Sequence, residues 1–302
     1  MWAGYLFFLF CLVVFSVPSV LIVFQFPIRR YNCPMDNTHL NANRAMWDEL
    51  ARINAGSALY DMEGFKAGRK NLPPADLVEV GEVRGKSLLH LQCHFGMDTL
   101  TWARQGAAVT GVDFSGEAIR MARALSEEVK VPVRFIESNL YDLPQVLDET
   151  FDVVYTSYGV LCWLPDLTAW AQIAARYVKP GGVFYLNEFH PTALLYDDNA
   201  YPPRLAYPYF NRGVMEFATQ GSYSDRSARV EQPVEYEWAH PLGEVVSSLC
   251  AAGLQIEFLH EFDFCVYEMY PWFKRCEDGF WRVPDDLPAL PLQFSIRAHK
   301  PG

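Results

Sequence analysis

The fold is decided by the stretch LLHLQCHFGMDTLTWARQGAAVTGVD, residues 88–113. It predicts a buried strand ending at Leu91, a tight turn closing on Gly96, a helix over residues 97–104, and a second apolar strand ending in Asp113. In a parallel sheet, such a unit places its turn and its terminal carboxylate at the carboxyl ends of the strands, where ligands bind. We therefore expect Asp113 to bind the ribose hydroxyls of a nucleoside.

The turn at residues 92–96, QCHFG, indicates which nucleoside binds. A dinucleotide pyrophosphate needs several glycines and a helix N-terminus that is free to hold an anion. This turn has one glycine, and Asp98 follows in the first helical turn, where a carboxylate stabilises the helix by roughly 0.3–1 kcal/mol but repels a phosphate. The pattern disfavours a nicotinamide-dependent oxidoreductase, the alternative class, and favours a nucleoside without phosphates.

Downstream, the chain continues to alternate helices and strands. A helix over residues 116–129 and a strand over residues 133–139 are followed by FDVVYTSY, residues 151–158, which predicts a strand that leaves the sheet at its end. A further helix is predicted to end at KPGG, residues 179–182, where the glycines release the helix and Lys179 complements its carboxyl end.

These motifs resemble those of the class I S-adenosylmethionine (SAM)-dependent methyltransferases. LQCHFGMDTL is similar to motif I of one branch, with His90, Gln92 and His94 where the usual pattern has an acid and glycines. FDVVYTSY resembles motif IV, and a helix ending in KPGG before an apolar strand is typical of the superfamily. The resemblance covers roughly residues 47–300. It implies an α/β, Rossmann-like sheet of seven mostly parallel strands with an antiparallel last strand, and SAM as the cofactor.

The resemblance also implies roles for particular side chains. Asn139 takes the position that binds the adenine amino group, and its amide oxygen can accept that bond; alternatively, it caps a turn. Ser157 and Tyr158 end motif IV, beside the transferable methyl group. The predicted cofactor-binding residues are Gln92, Cys93, His94, Gly96, Asp113, Phe114, Asn139, Leu140 and Ser157.

The predicted reaction is an in-line displacement that transfers the methyl group to a small molecule. A sulfonium is already activated, so the protein mainly aligns the reactants and excludes water, and no metal is required. A protic acceptor also needs a base. The predicted catalytic residues are His190 and Tyr158, with Glu188 behind them; the alternative for His190 is a structural, hydrogen-bonded role.

Composition limits the partners. The 302 residues are 51% hydrophobic and carry a net charge of -11, which disfavours nonspecific binding to nucleic acid because that binding requires basic side chains on phosphates. The seven cysteines are scattered without metal-binding or disulfide spacing.

Two further alternatives for the function are a SAM-binding regulatory module without transfer activity and a membrane-anchored lipid methyltransferase.

The amino-terminal segment supports two interpretations. Residues 1–26 carry no charge, are long enough to cross a bilayer and precede Arg29 and Arg30, a pattern typical of a membrane anchor. Met35 begins an ordinary polar start, so residues 1–34 are alternatively a mis-assigned start. Either way we expect residues 35–302 to form the methyltransferase domain on the cytoplasmic side, with any membrane contact made through residues 1–26.

Two segments interrupt the α/β pattern. Residues 191–238 are rich in tyrosine, proline and glycine, with strand-like pieces at residues 207–210, 214–218 and 234–238. We interpret them as an inserted lid or β-hairpin cap. Residues 261–290, which contain several aromatic side chains, are interpreted as a second loop over the site.

Overall fold

The computed structural model describes residues 13–17, 20–24, 37–198, 200–210, 213–219, 221–232 and 234–302. It has two compact units, Met1–Asp36 and Asn37–Gly302. In the first, β1 (Val13–Val17) and β2 (Val20–Phe24) pair antiparallel; the remainder of the predicted apolar segment lies outside the described residues. Within the described ranges, no helix is both long and apolar enough to cross a membrane.

The second unit alternates helices and strands. Its helices are α1 (Asn37–Gly56), α2 (Met62–Lys66), α3 (Pro74–Val80), α4 (Met97–Arg104), α5 (Gly116–Glu128), α6 (Leu167–Tyr177) and α7 (Leu242–Ala251). Its strands are β3 (Ser87–Leu91), β4 (Ala108–Asp113), β5 (Arg134–Glu137), β6 (Phe151–Ser157), β7 (Val178–Phe189), β8 (Val214–Ala218), β9 (Val234–Trp238), β10 (Gln255–Phe262), β11 (Lys274–Arg275), β12 (Trp281–Arg282) and β13 (Gln293–His299).

Seven strands form one sheet in the order β10-β13-β7-β6-β3-β4-β5. Strand β13 runs antiparallel to both of its neighbours, and the pairs from β7 to β5 are parallel. The predicted fold class, including the antiparallel last strand, is confirmed. The strand order reverses direction at β3, so a crevice opens at the carboxyl ends of β3 and its neighbours.

The sheet is buried on both faces, as parallel sheets require. On one face Trp170 from α6 packs edge-on against Phe184, within the largest apolar cluster. On the other face Trp102 from α4 meets Tyr155, which in turn stacks on Tyr185. Because both faces of β3 and β6 are buried, their sequences are continuous apolar runs without a polar residue at every second position, and this pattern identified them as strands.

The end of α6 differs from the prediction. The helix ends at Tyr177, and Val178 is extended and pairs with Phe151, so the KPGG residues lie in the first part of β7. The Lys179 ammonium lies 3.0 Å from Asp152 Oδ1 and donates to Ser87 Oγ, so it joins three strands instead of complementing the helix end.

The structure of the first inserted segment, residues 191–238, also differs in part from the prediction. The strands predicted at residues 214–218 and 234–238 are present as the antiparallel pair β8 and β9. The strand predicted at residues 207–210 is wrong: these residues form a bend and irregular backbone. Pro208 lacks the backbone donor that a strand ladder needs, which explains the difference.

One glycine in β4 is required by packing. A Cβ atom on Gly111 would lie 2.9 Å from the Phe135 ring and 3.0 Å from Cys93 Sγ. Gly111→Ala should therefore lower the free energy of unfolding by about 1–3 kcal/mol through overpacking, measured by urea denaturation. Gly243→Ala is the control, because no atom lies within 4 Å of its added Cβ. Equal stability of the two variants would contradict this account of the β4 core.

Candidate active site

A cavity of about 1000 Å³ opens at the carboxyl ends of the central strands. Its wall includes every predicted cofactor-binding residue together with Tyr158. The inserted segments contribute as well, for example through Tyr223 and Tyr267. The structure thus brings residues from six separate stretches of the chain to one site.

The turn after β3 has an unusual backbone. Gln92 and His94 have φ of 55° and 51°, and Gly96 has φ of 83°. Left-handed backbone at residues other than glycine is uncommon and is concentrated at functional sites. The conformation turns the backbone amide of His94 toward the end of β4, where Asp113 Oδ2 accepts its hydrogen at 2.8 Å.

Asp113 therefore holds the turn from inside the crevice. Its other oxygen, Oδ1, accepts from the backbone amide of Ser115 at 2.9 Å, which fixes the start of α5. Burial raises the pKa of Asp113 to about 6, although these backbone donors favour the ionised form. An ionised carboxylate has further lone pairs, so Asp113 can still accept hydrogen bonds from a ligand in the cavity.

Two polar atoms in this wall are buried without a hydrogen-bond partner, Gln92 Oε1 and His94 Nε2. Such groups usually mark a position where a ligand or water completes the hydrogen bonds. Burial lowers the pKa of His94 to about 3, so its ring is uncharged near neutral pH. A wall with an unpartnered amide oxygen and no added positive charge from His94 fits a ligand that carries a sulfonium and an ammonium group.

The remaining predicted polar residues already have partners. Asn139 Oδ1 accepts from the Tyr141 amide at 3.0 Å and so caps a turn, the role that the sequence left open for it. Ser157 Oγ lies 3.4 Å from His90 Nε2 and 3.5 Å from Asp98 Oδ2. Asp98 lies in the cavity wall, at the amino end of α4, where it would repel a phosphate.

An aromatic wall surrounds the turn. The Trp47 ring from α1 lies 5.4 Å from the His94 ring and 5.3 Å from the Trp163 ring, each edge-on. The Tyr60 hydroxyl shares a hydrogen with the Tyr223 hydroxyl, which joins α1 and its following loop to the inserted segment. In the sequence Trp47 is visible only as one member of an apolar stripe, so this wall was not identifiable there.

His190 is placed differently from the predicted site residues. It does not belong to the described residues that line the cavity. Its Nδ1 is bonded to Thr192, and its Nε2 lies 3.0 Å from Glu261 Oε1, at the edge of the sheet. This is the structural alternative that the sequence left open, so we do not propose His190 as the base.

Glu188 holds the loop that follows β6. Its carboxylate accepts from the backbone amides of Gly159, Val160 and Leu161, the latter two at 2.8 and 2.9 Å. Burial raises the pKa of Glu188, and the backbone donors oppose the increase. The carboxylate is therefore committed to positioning Tyr158 and its neighbours, which leaves Glu188 poorly placed to act as a base.

A group of three carboxylates also lines the cavity and was not identified from the sequence. Asp198, Glu235 and Glu237 come from the inserted segment. Burial raises the pKa of Glu235 to about 7 and, with help from the charge of Glu235, that of Glu237 to about 8. Burial also raises the pKa of Asp198, although Arg226 opposes the increase.

Comparison with known proteins identifies the central part of the chain. The sequence profile of the family described as "Methyltransferase domain" matches residues 89–186. Residues 89–186 are a class I methyltransferase domain. That match contains the turn, Asp113, Asn139 and Tyr158, so the predicted class and its cofactor, SAM, are confirmed at the level of the domain.

Relatives extend the similarity beyond this domain. Over 160 residues the chain is 31% identical to a ubiquinone biosynthesis O-methyltransferase of Xanthomonas euvesicatoria pv. vesicatoria, covering 52% of this chain but 66% of the relative. A putative SAM-dependent methyltransferase from Listeria monocytogenes shares the fold at 18% identity and a TM-score of 0.52, covering 76% of this chain and 96% of the other. A SAM-dependent methyltransferase from Clostridium acetobutylicum has 14% identity and a TM-score of 0.51, covering 87% and 99%.

The Glu188 contacts can be tested through stability. Glu188→Gln replaces one carboxylate oxygen by a donor that faces backbone donors, so the free energy of unfolding should fall by about 1–3 kcal/mol. Glu149→Gln is the control, because Glu149 is 61% exposed in its ion pair with Arg134 and should contribute less than about 1 kcal/mol. Chemical denaturation measures both; a Glu188 variant as stable as the control would contradict the proposed anchoring.

Proposed function

We propose that the chain transfers a methyl group from SAM to a small-molecule acceptor. The observation that carries the proposal is the strained turn at residues 92–96, held by Asp113, with unpartnered polar atoms on Gln92 and His94 in the wall of the same cavity. A regulatory module without transfer activity is disfavoured because the same cavity is also lined by carboxylates and aromatic rings of the inserted segments, where an acceptor would bind.

We assign the cofactor to the turn side of the cavity. Asp113 would accept the ribose hydroxyls, and Phe114 and Leu140 would enclose the base. Because Asn139 Oδ1 caps a turn, it can contact adenine only through its remaining lone pair or its amide donors. Gln92 Oε1 would accept from the ammonium group of the methionine portion. When bound, SAM supplies an activated methyl group, and aromatic faces such as that of Trp47 attract the sulfonium charge.

The acceptor would occupy the end of the cavity formed by the inserted segments. We propose that residues 191–238 and 261–290 cover this end, because Tyr223 and Tyr267 belong to them and line the cavity. Their aromatic rings favour a planar acceptor. The relative from Xanthomonas is named as an O-methyltransferase of ubiquinone biosynthesis, which supports a phenolic hydroxyl as the first candidate for the methylated group.

The protein's own contribution would be alignment and exclusion of water. Glu188 fixes the loop that carries Tyr158, and the pair of Tyr60 and Tyr223 joins the cavity walls. Held in line, the acceptor oxygen needs no metal to react with a sulfonium methyl group. Tyr158 is the catalytic candidate because it directly follows β6 and lines the cavity.

Cofactor binding tests the first part of the proposal. Calorimetric titration should show that SAM and S-adenosylhomocysteine bind and that NAD does not, because Asp98 repels phosphates. Asp113→Asn should weaken binding of S-adenosylhomocysteine by about 1–3 kcal/mol, since bonds to a charged acceptor are lost.

The affinity should also depend on pH. The pKa of Asp113 is about 6, so the carboxyl is ionised at pH 7.5 and largely protonated at pH 5. The unmodified protein should therefore bind more weakly at pH 5, whereas Asp113→Asn should show a smaller change. Binding that is unaffected by the substitution in a folded protein would remove Asp113 from the site.

A second candidate acceptor is an amine. The carboxylates of Asp198, Glu235 and Glu237 make no ion pair within the described residues, and they would stabilise a bound cation. Above pH 8, where the Glu237 carboxyl is ionised, Glu237→Gln should lower kcat/KM for amines by about tenfold, equivalent to the loss of one charged contact of about 1.4 kcal/mol, and leave phenols unchanged. Formation of S-adenosylhomocysteine with a panel of both classes measures this, and equal effects on phenols and amines would exclude a specific amine site.

A further inference from the structure

A chain of hydrogen bonds leads from the cavity to the protein surface. Tyr158 is one of the residues that line the cavity, and its hydroxyl donates to Asp76 Oδ2 at 3.1 Å. The Tyr185 hydroxyl lies 3.2 Å from Asp76 Oδ1 and 2.8 Å from Glu79 Oε2. Glu79 Oε1 lies 2.8 Å from Nδ1 of His260, whose side chain is 51% exposed. Each group in the chain can both accept and donate a proton.

This chain of hydrogen bonds runs from buried groups to an exposed one. Asp76 and Tyr185 are fully buried beneath the sheet, between α3 and β7, with no direct access to solvent. Glu79 is 12% exposed and His260, on β10, lies at the surface. The chain therefore crosses the protein interior from the candidate active site to water.

Asp76 is an unusual centre for a purely structural contact. Its carboxylate is bonded to the hydroxyls of Tyr155, Tyr158 and Tyr185 and to the Asn187 amide at 2.7 Å. Burial nevertheless raises the pKa of Asp76 to about 6, despite the donors that favour its ionised form. Asp76 is thus ionised at neutral pH but able to take up a proton at little cost.

Methyl transfer to a protic acceptor creates a need for such a chain. The acceptor oxygen forms a bond to the methyl carbon while the sulfur keeps the electron pair of its former bond, and the O–H electron pair stays on the acceptor oxygen. One proton must then leave a cavity that is built to exclude water. His94 is uncharged because of its burial, Asp98 is bonded to Asn71 and Ser157, and Glu188 is committed to backbone amides.

We propose that this proton leaves the cavity along the chain Tyr158, Asp76, Tyr185, Glu79 and His260. The inference rests on the proposed function. The Tyr158 oxygen takes the proton of the acceptor as its own hydroxyl proton passes to Asp76. The Asp76 carboxyl then delivers a proton to Tyr185, which gives its own to Glu79. Glu79 protonates His260 at Nδ1, and His260 releases a proton from Nε2 to water. Rotation of the hydroxyl and carboxyl groups, together with exchange of the exposed His260 ring protons with water, restores the starting state, so one proton enters and one leaves.

Two tyrosines bonded to Asp76 allow a matched pair of variants. Tyr155 and Tyr185 are both fully buried, stack at 5.9 Å and are both bonded to Asp76. Of the two, it is Tyr185 whose hydroxyl also lies within hydrogen-bond distance of Glu79 in the described structure. Tyr155→Phe and Tyr185→Phe therefore make the same chemical change, but the second alone cuts the path.

The experiment compares these variants in single-turnover methyl transfer to the best phenol or amine of the acceptor panel. Tyr185→Phe should lower the transfer rate by about 100-fold, the lower end of the range for positioned proton transfer, while Tyr155→Phe stays within about twofold of the unmodified protein. The affinity for S-adenosylhomocysteine should be unchanged in both. Without any ligand, NMR signals of the His260 ring should shift in Tyr185→Phe and not in Tyr155→Phe.

Variants at the surface end give a second test that does not depend on core packing. His260→Ala should slow transfer and recover rate when imidazole is added, because a small base can replace the exposed relay group. His299→Ala is its control, since His299 also pairs with a glutamate on this sheet, Glu257, but lies off the path. Full activity of His260→Ala would overturn the proposal that the proton reaches water through His260.

The outcomes separate the two proposals. Equal transfer rates in Tyr155→Phe and Tyr185→Phe, with the unmodified protein active, would overturn the proton path and leave methyl transfer standing. If Tyr185→Phe loses affinity for S-adenosylhomocysteine, its fold is disturbed. The proton path is then tested by whether His260→Ala slows transfer and recovers rate with imidazole, and an unchanged rate overturns the path. No transfer by the unmodified protein to any acceptor would overturn the proposed function and the proton path together.

Discussion

The site depends on one contact, the hydrogen bond from the His94 backbone amide to Asp113 Oδ2. This contact joins the turn after β3 to the end of β4 and stabilises a backbone in which two residues other than glycine adopt positive φ. The strain is tolerable because the turn is fixed at several points, including the bond from the Cys93 amide to Val112. The carboxylate that positions the turn also faces the cavity, so the scaffold and the candidate ligand site share one residue.

Near this contact, the structure has two polar regions, an open cavity and a buried cluster around Asp76. At the carboxyl ends of the strands lies a cavity lined by aromatic rings around the turn and by carboxylates of the inserted segment. Below one face of the sheet, Asp76 gathers the hydroxyls of several buried tyrosines. Tyr158 belongs to both regions, because it follows β6 and lines the cavity while its hydroxyl donates to Asp76. One side chain thereby joins the cavity wall to a buried acid that belongs to no recognised motif.

Predictions from sequence succeeded where local pattern and contact coincide. The apolar runs of β3, β4 and β6 identified the sheet because strands buried on both faces cannot be polar. They failed where a distant partner changed the local preference. Lys179 follows a helix and would complement its end, but Asp152 and Ser87 on neighbouring strands bind its ammonium instead. His190 follows a strand in the way a catalytic base can, yet Thr192 and Glu261 hold it outside the cavity wall.

The sequence by itself determined the fold class and the residues of the turn, because periodicity, glycine placement and a strand-ending acid are local properties of the chain. An acid in the first turn of α4 disfavoured a ligand with phosphates, and the motifs' resemblance to a known family implied the cofactor. Only the tertiary structure decided which side chains face one another. Asp76 and Tyr185 are 109 residues apart, and Tyr60 and Tyr223 are 163 apart. Contacts over such separations leave no periodic trace, so the aromatic wall, the acidic end of the cavity and the path to His260 emerge only when the chain is folded.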